Sequence, residues 1–154
     1  MTDPVNLIEL IEELPRRQRG RACIVLTQNY LDQREWCSKL SQLTGAEHID
    51  MLDHLEGTEE SKKLSSFSIE GCFNYLANQT TSQVLIVSGL EFLMATWANA
   101  PSSFEQFASI VEMWSKKPAL LIVTRYNSEL AQRKFTRYPD KLFVVNQQNT
   151  ISLA

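Results

Sequence analysis

The chain has 154 residues, of which 44% are hydrophobic and 21% charged, and a formal net charge of −3. A single soluble domain over 1–154 is expected, because a chain this long buries about 68–70% of the surface its unfolded form exposes and needs neither disulfides nor metal to hold it. Three scattered cysteines (Cys23, Cys37, Cys72) do not make a secreted disulfide framework, and no apolar run approaches the roughly 18 residues of a membrane span.

The elements follow in chain order. Asp3 before Pro4 reads as a helix cap with proline at the first helical position, and Leu7, Ile8, Ile11 and Leu14 share one face of a short amphipathic helix ending at Pro15. RRQRGR then leads into ACIVLT, Ala22 to Thr27, apolar on both faces and hence a buried parallel strand. A helix from Asp32 to Leu43, a short strand around His48 to Met51, a mobile loop from Leu55 to Ser66 and a helix from Ser68 to Asn78 come next. QVLIVS (Gln83 to Ser88) and ALLIVT (Ala119 to Thr124) repeat the strand pattern, with helices from Leu90 to Ala98 and from Ser103 to Ser115 between them. In the last helix Phe104, Phe107, Ile110, Val111 and Trp114 form an apolar stripe, and Ser103 with Gln106 forms a capping box. LFVV and TISL around an NQQN turn read as a closing β-hairpin. The sum is an α/β fold of three layers, a mostly parallel sheet with helices on both faces.

Ligands of open parallel sheets gather beyond the carboxyl ends of the strands, which directs attention to the residues after Leu26, Val87 and Val123. After the first strand a phosphate loop would read G-x-x-x-x-G-K-[ST], with glycine amides and lysine around phosphate. The chain reads QNYLDQRE: Gln28 and Gln33 replace the glycines, Arg34 the lysine and Glu35 the hydroxyl residue. Asp32 instead reads as a helix cap, with Glu35 as its capping-box partner and Leu31 stapled to Trp36. Two carboxylates then occupy the positive end of the helix dipole and repel phosphate. After the second strand, Ser88 stands where a Walker B aspartate would hold Mg²⁺, followed by Gly89 and Glu91. A hydroxyl brings no charge to a metal, and Glu91 also fits an ordinary first helical turn. Thr124 and Arg125 end the third strand.

This succession resembles the P-loop NTPase fold of the RecA and AAA kind over nearly the whole chain, with its Walker motifs erased. The short length, the strand leading into GLEFL and the late strand ALLIVT are similar to the small P-loop-containing component of type III BREX phage-defence systems. The family's phosphate-loop lysine has no match except Arg34 and its Walker B aspartate falls on Ser88, so the resemblance carries over the fold but not ATP binding. No cofactor is expected.

HIDMLDH brings His48, Asp50, Asp53 and His54 close in sequence, but Asp53 and His54 belong to a turn after the strand, and no metal site is expected. Ser88 lacks a G-x-S-x-G elbow and the cysteines read as core, so no catalytic residue is expected. Basic residues cluster at Arg16, Arg17, Arg19 and Arg21, and again at Arg125, Arg133, Lys134, Arg137 and Lys141, where Tyr126, Phe135 and Tyr138 are interleaved. Solvated faces, anchors on a protein partner and contacts to nucleic acid are three readings of these clusters. Trp97 and Trp114 fit either core or interface.

The functional expectation is a non-catalytic interaction subunit of a DNA-related or phage-defence assembly. It would dock a protein partner, a true ATPase among them, through the surface that once faced nucleotide, presenting Arg34 or Arg125. A nucleotide-binding or weakly hydrolysing enzyme and a DNA-binding accessory protein are the alternatives, and self-association stays open. Acids in MTDPVNLIEL, where a leader would carry bases, point to a cytoplasmic protein without membrane contact.

Overall fold

In a computed structural model of the chain, residues 4–28, 30–55, 68–77, 80–100, 102–138 and 140–153 are described. The apolar runs become parallel strands: β1 (Ala22–Thr27), β2 (Glu47–Asp50), β3 (Val84–Ser88), β4 (Ala119–Arg125) and β5 (Val144–Asn146). They form one sheet in the order β2-β3-β4-β1-β5, with every adjacent pair parallel. Every residue of β1 and β3 is buried, and so is β4 up to Thr124, as a sheet covered on both faces requires.

Alternation along the strands splits the core into two layers. Ala22, Ile24, Leu26, Leu85, Val87, Leu120 and Ile122 face one side. There they meet α4 (Ile69–Leu76), α5 (Glu91–Trp97), α6 (Ser103–Met113) and α7 (Ser128–Gln132). Cys23, Val25, Ile86, Leu121 and Val123 face the other, against α1 (Leu7–Glu13) and α2 (Tyr30–Thr44). Each aliphatic side chain fully buried in this way stabilises the fold by about 1.5–3 kcal/mol. Trp97 and Trp114 belong to the first layer: Phe107 lies 5.2 Å from Phe73 and 6.1 Å from Trp97 between ring centroids, and Trp114 Nε1 donates to the Pro118 carbonyl at 2.9 Å. Interface roles for the two tryptophans are thereby replaced by packing.

Several local expectations change. Asp3 lies outside the described residues, and the cap of α1 is Asn6, whose Oδ1 accepts from the amides of Ile8 and Glu9. The α2 helix starts at Tyr30, so Asp32 sits in its first turn and is not the cap; the Leu31 side chain lies outside the described residues. A capping box at Ser103 does not form, because Ser103 is already helical and buried while Ser102 holds the cap position at φ 60° without a side-chain bond. The closing hairpin is also absent: Val144–Asn146 pairs parallel to β1, a 3-10 turn (Gln147–Asn149) follows, and Thr150 bridges Val5 in parallel. The Thr150 hydroxyl donates to the Gln147 carbonyl at 2.6 Å and holds that turn, which carries the chain across β1's neighbourhood to the N-terminal segment instead of back along β5. Two short helices, α3 (Met51–Leu55) and α7, add to the predicted set, the latter capped by Asn127 Oδ1 on the Leu130 amide. The loop expected from Leu55 onward and the end of the helix at Asn78 fall outside the described residues apart from Leu55 itself, which closes α3. Among the described residues no helix is long and apolar enough to cross a membrane.

Candidate functional site at the carboxyl ends of the strands

The sheet order places β1 between β4 and β5, with β3 on the far side of β4, so the ends of β1, β3 and β4 converge where parallel sheets hold ligands. Only residues 28 and 29 separate Thr27 from Tyr30. Six of the eight positions that would form a phosphate loop, Tyr30 to Glu35, are therefore helical. From Arg34 onward their amides belong to the helix ladder, and the loop that could wrap a phosphate has no length.

Gln33 takes up the space at this junction. It lies on the same stripe of α2 as Cys37 and Leu40, all three buried, so its side chain is carried inward against the strand ends. Its Nε2 donates to Thr27 Oγ1 at 3.1 Å and to Glu91 Oε2 at 3.0 Å, and its Oε1 accepts from the Gly89 amide at 3.2 Å. Three of its hydrogen-bonding positions are thus met by the protein itself. Glu91 completes the arrangement: Oε2 also accepts from Thr124 Oγ1 at 3.2 Å and from the Arg125 amide at 2.8 Å. One glutamine and one carboxylate link α2 and α5 to the ends of β1, β3 and β4.

A second network adjoins it. Ser88 is fully buried and its Oγ donates to Asp50 Oδ2 at 2.9 Å, so it accepts from His48 Nε2 at 2.8 Å, and His48 Nδ1 accepts from Ser38 Oγ at 3.3 Å. The other Asp50 oxygen accepts from the Asp53 amide at 3.2 Å, and the Asp53 carboxylate pairs with Arg34. Burial holds the His48 imidazole below its ordinary 6.5; Asp50 opposes that shift and Arg34 adds to it. Ser88 is sealed from solvent, and its hydroxyl joins the histidine and the carboxylate within the fold. Gly89 follows with φ +72°, and a Cβ there would lie 2.4 Å from Asp50 Oδ1, so the carboxylate lies against the bare backbone. Among the described residues no three His, Cys, Asp or Glu side chains are arranged to hold a metal.

The predicted site residues divide accordingly. Gln33 and Glu91 are hydrogen-bond partners of each other, and Ser88 is bonded to Asp50 and His48 in the adjoining network. Gln28 and Glu35 are exposed, and Arg34 is taken by Asp53. Cys23 and Cys72 are buried and desolvation pushes each thiol up to about 12, while Cys37 is raised by burial and by the charges of Asp50 and Glu91.

Arg17 is turned into the fold. It is 6% exposed, its Nε pairs with Glu13 at 3.1 Å, its Nη1 donates to the carbonyls of Gly20 and Leu142, and its guanidinium lies 5.8 Å from the Phe143 ring centroid. A guanidinium can be buried there because carbonyls and a carboxylate meet its donors. Arg133 is likewise engaged, with Glu105 at 2.9 Å across the gap between α7 and α6. Arg16, Arg19, Arg125, Lys134 and Arg137 are exposed. In the second basic cluster Phe135 lies 5.0 Å and Tyr138 6.4 Å from the Phe143 ring centroid, and both are half-buried.

No protein-family model matches the chain, and no curated protein matches it. Among solved structures it is similar to C. elegans PCH-2, at 12% sequence identity and a TM-score of 0.43, over 92% of this chain and 42% of that one. The chain spans less than half the length of PCH-2, and so loose a superposition carries no argument about function. The class of fold, helices on both faces of a mostly parallel sheet, is plain from the strands themselves.

Proposed function

We propose that the chain is a non-catalytic, P-loop-like interaction subunit whose nucleotide end is filled by its own side chains. The observation that carries this reading is Gln33, which occupies the junction of β1, β3 and α2 behind a connection of only two residues. A triphosphate would have to displace that side chain and approach the carboxylates of Glu91 and Asp50, a like-charge encounter in a partly dry site. The rigid sheet serves as a platform, and exposed residues at its carboxyl end make contacts. Arg125 and Tyr126 head that surface: both are exposed, Tyr126 at 50%, and an arginine beside a tyrosine is typical anchor chemistry for a protein interface. A partner ATPase meeting this end, in a phage-defence or other DNA-related assembly, is the setting that the sequence resemblance suggests.

A photocrosslinking amino acid placed at Tyr126 in the full chain, expressed in its native host, tests the docking surface. One discrete crosslinked product that disappears with Arg125→Glu, and that is absent when the same group is placed at Lys116, is expected. Equal labelling from both positions, or none from either, overturns the assignment of this surface.

A further inference from the structure

The amino end of the same sheet has the opposite character. The segments leading into β1, β3 and β4 surround a cavity of about 810 Å³ lined by Arg16, Arg21, Lys117, Thr80, Thr81 and Ser82. Arg16, Thr81 and Ser82 also line a second cavity of about 400 Å³, which reaches Glu12, so the two run together as one groove. Three cations and no carboxylate line the larger part, in a chain whose formal net charge is −3.

These cations are not consumed inside the fold. Arg16 and Lys117 are exposed, and neither has an ion-pair partner among the described residues. Arg21 uses its Nε on the Arg17 carbonyl, and its two Nη groups have no partner among the described residues. The sheet fixes the Arg21 backbone and the strand entrances beside it: the Leu120 amide donates to the Arg21 carbonyl at 2.9 Å and the Ala119 amide to the Gln83 carbonyl at 3.0 Å. A concave wall of one sign focuses its field, guanidinium forks match oxyanions bidentately, and hydroxyls add short donors at little cost in charge. The volume falls in the range of about 300–1,000 Å³ usual for ligand pockets.

We infer that this groove is a binding site for phosphate-bearing ligands, entered either by a small polyphosphate or by the phosphodiester backbone of a single strand. Phosphoryl groups supply several oxygens to three donors at once, as the arrangement of Arg16, Arg21 and Lys117 requires. Glu12 at the far end of the groove sets a limit, since a ligand running past Arg16 meets a carboxylate. The site lies at the end of the sheet remote from Gln33, so the two readings stand or fall separately.

Calorimetric titration of the full chain with inorganic tripolyphosphate, and with a short oligothymidine, tests the assignment. Binding of at least one probe is expected, weakened about tenfold or more in Arg16→Ala/Lys117→Ala, a loss of about 1.4 kcal/mol. The Lys134→Ala/Arg137→Ala variant should bind as the parent does. Tripolyphosphate alone binding identifies a small ligand. The oligonucleotide alone binding, with a salt slope lowered by about 1.4 in the double variant between about 50 and 200 mM salt, identifies a strand. No binding of either probe at low salt, or equal loss in both double variants, overturns the site. Should the first double variant fail to fold, Lys117→Ala and Arg16→Gln are tested singly, with amide chemical shifts at Thr81 and Ser82 as the readout: shifts lost with either cation support the site, and unmoved shifts in the parent refute it.

Discussion

The two ends of this sheet carry similar numbers of polar groups and dispose of them differently. At the carboxyl end Thr27, Gln33, Glu91 and Thr124 are buried or half-buried and bonded to one another, and Ser88, His48 and Asp50 form a second network beside them. At the amino end Arg16, Arg21 and Lys117 face a common cavity with donors left over. Burying polar groups is costly unless they are paired, so the bonded network rigidifies the end it closes, with Glu91 Oε1 left buried and without a hydrogen-bond partner among the described residues, while unpaired donors at the other end stay at the surface where water holds them until a ligand arrives. The place where a parallel sheet ordinarily takes its ligand is here the better sealed of the two.

Substitutions sharpen the contrast, since those that remove a buried, bonded group should act on stability and those that remove an exposed cation should not. Gly89→Ala has the largest expected effect, about 3–4 kcal/mol by denaturant unfolding, because it places a Cβ at positive φ against the Asp50 carboxylate. Gln33→Leu leaves the Gly89 amide without its partner and removes a donor from Glu91, which costs about 2–3 kcal/mol in the same measurement. Arg17→Ala strips the Gly20 and Leu142 carbonyls of their donor beside Phe143, and a loss of about 2 kcal/mol is expected. If Gln33→Leu proves neutral, the network is incidental and the contrast between the ends is lost.

A smaller, pH-dependent effect follows from His48. Its folded value lies below the ordinary 6.5, so the unfolded chain binds the proton more readily. The stability it contributes is complete above 6.5 and declines as pH falls toward the folded value. Unfolding midpoints of the parent and His48→Gln measured from neutral pH downward should differ in slope just below 6.5, with the parent losing more; parallel curves would show that the imidazole does not couple folding to pH. The smallest change belongs to Arg125→Ala, less than about 0.5 kcal/mol in stability, because that residue's backbone, not its side chain, is bonded to Glu91. A larger loss would make Arg125 a structural residue.

Much of the fold is legible in the sequence because both-face apolar runs have few outcomes: ACIVLT, VLIVS and ALLIVT could be buried only in a parallel sheet. The chain ends misled for a local reason. TISL alternates as a strand does, but alternation does not name its partner, and Thr150 pairs with Val5 in parallel where a hairpin was expected. At the candidate site, Gln33 drew attention as a missing glycine when the informative signal was its spacing. Gln33, Cys37 and Leu40 share the i, i+4, i+7 stripe of α2, and a polar side chain on a buried stripe must find partners. Those partners, Glu91 and the Gly89 amide, lie 58 and 56 residues away in sequence and could not be read from spacing. Arg17 was hidden for the converse reason: in RRQRGR nothing distinguishes the arginine that folds inward onto Phe143 from those that stay in water.

The central claim is that Gln33 leaves no cradle for a triphosphate. Amide chemical shifts of the uniformly ¹⁵N-labelled chain under millimolar Mg-ATP test it directly. Unmoved resonances are predicted for Thr27, Gly89 and Arg125, whatever happens at Thr81 and Ser82; saturable shifts at the first three would contradict the claim.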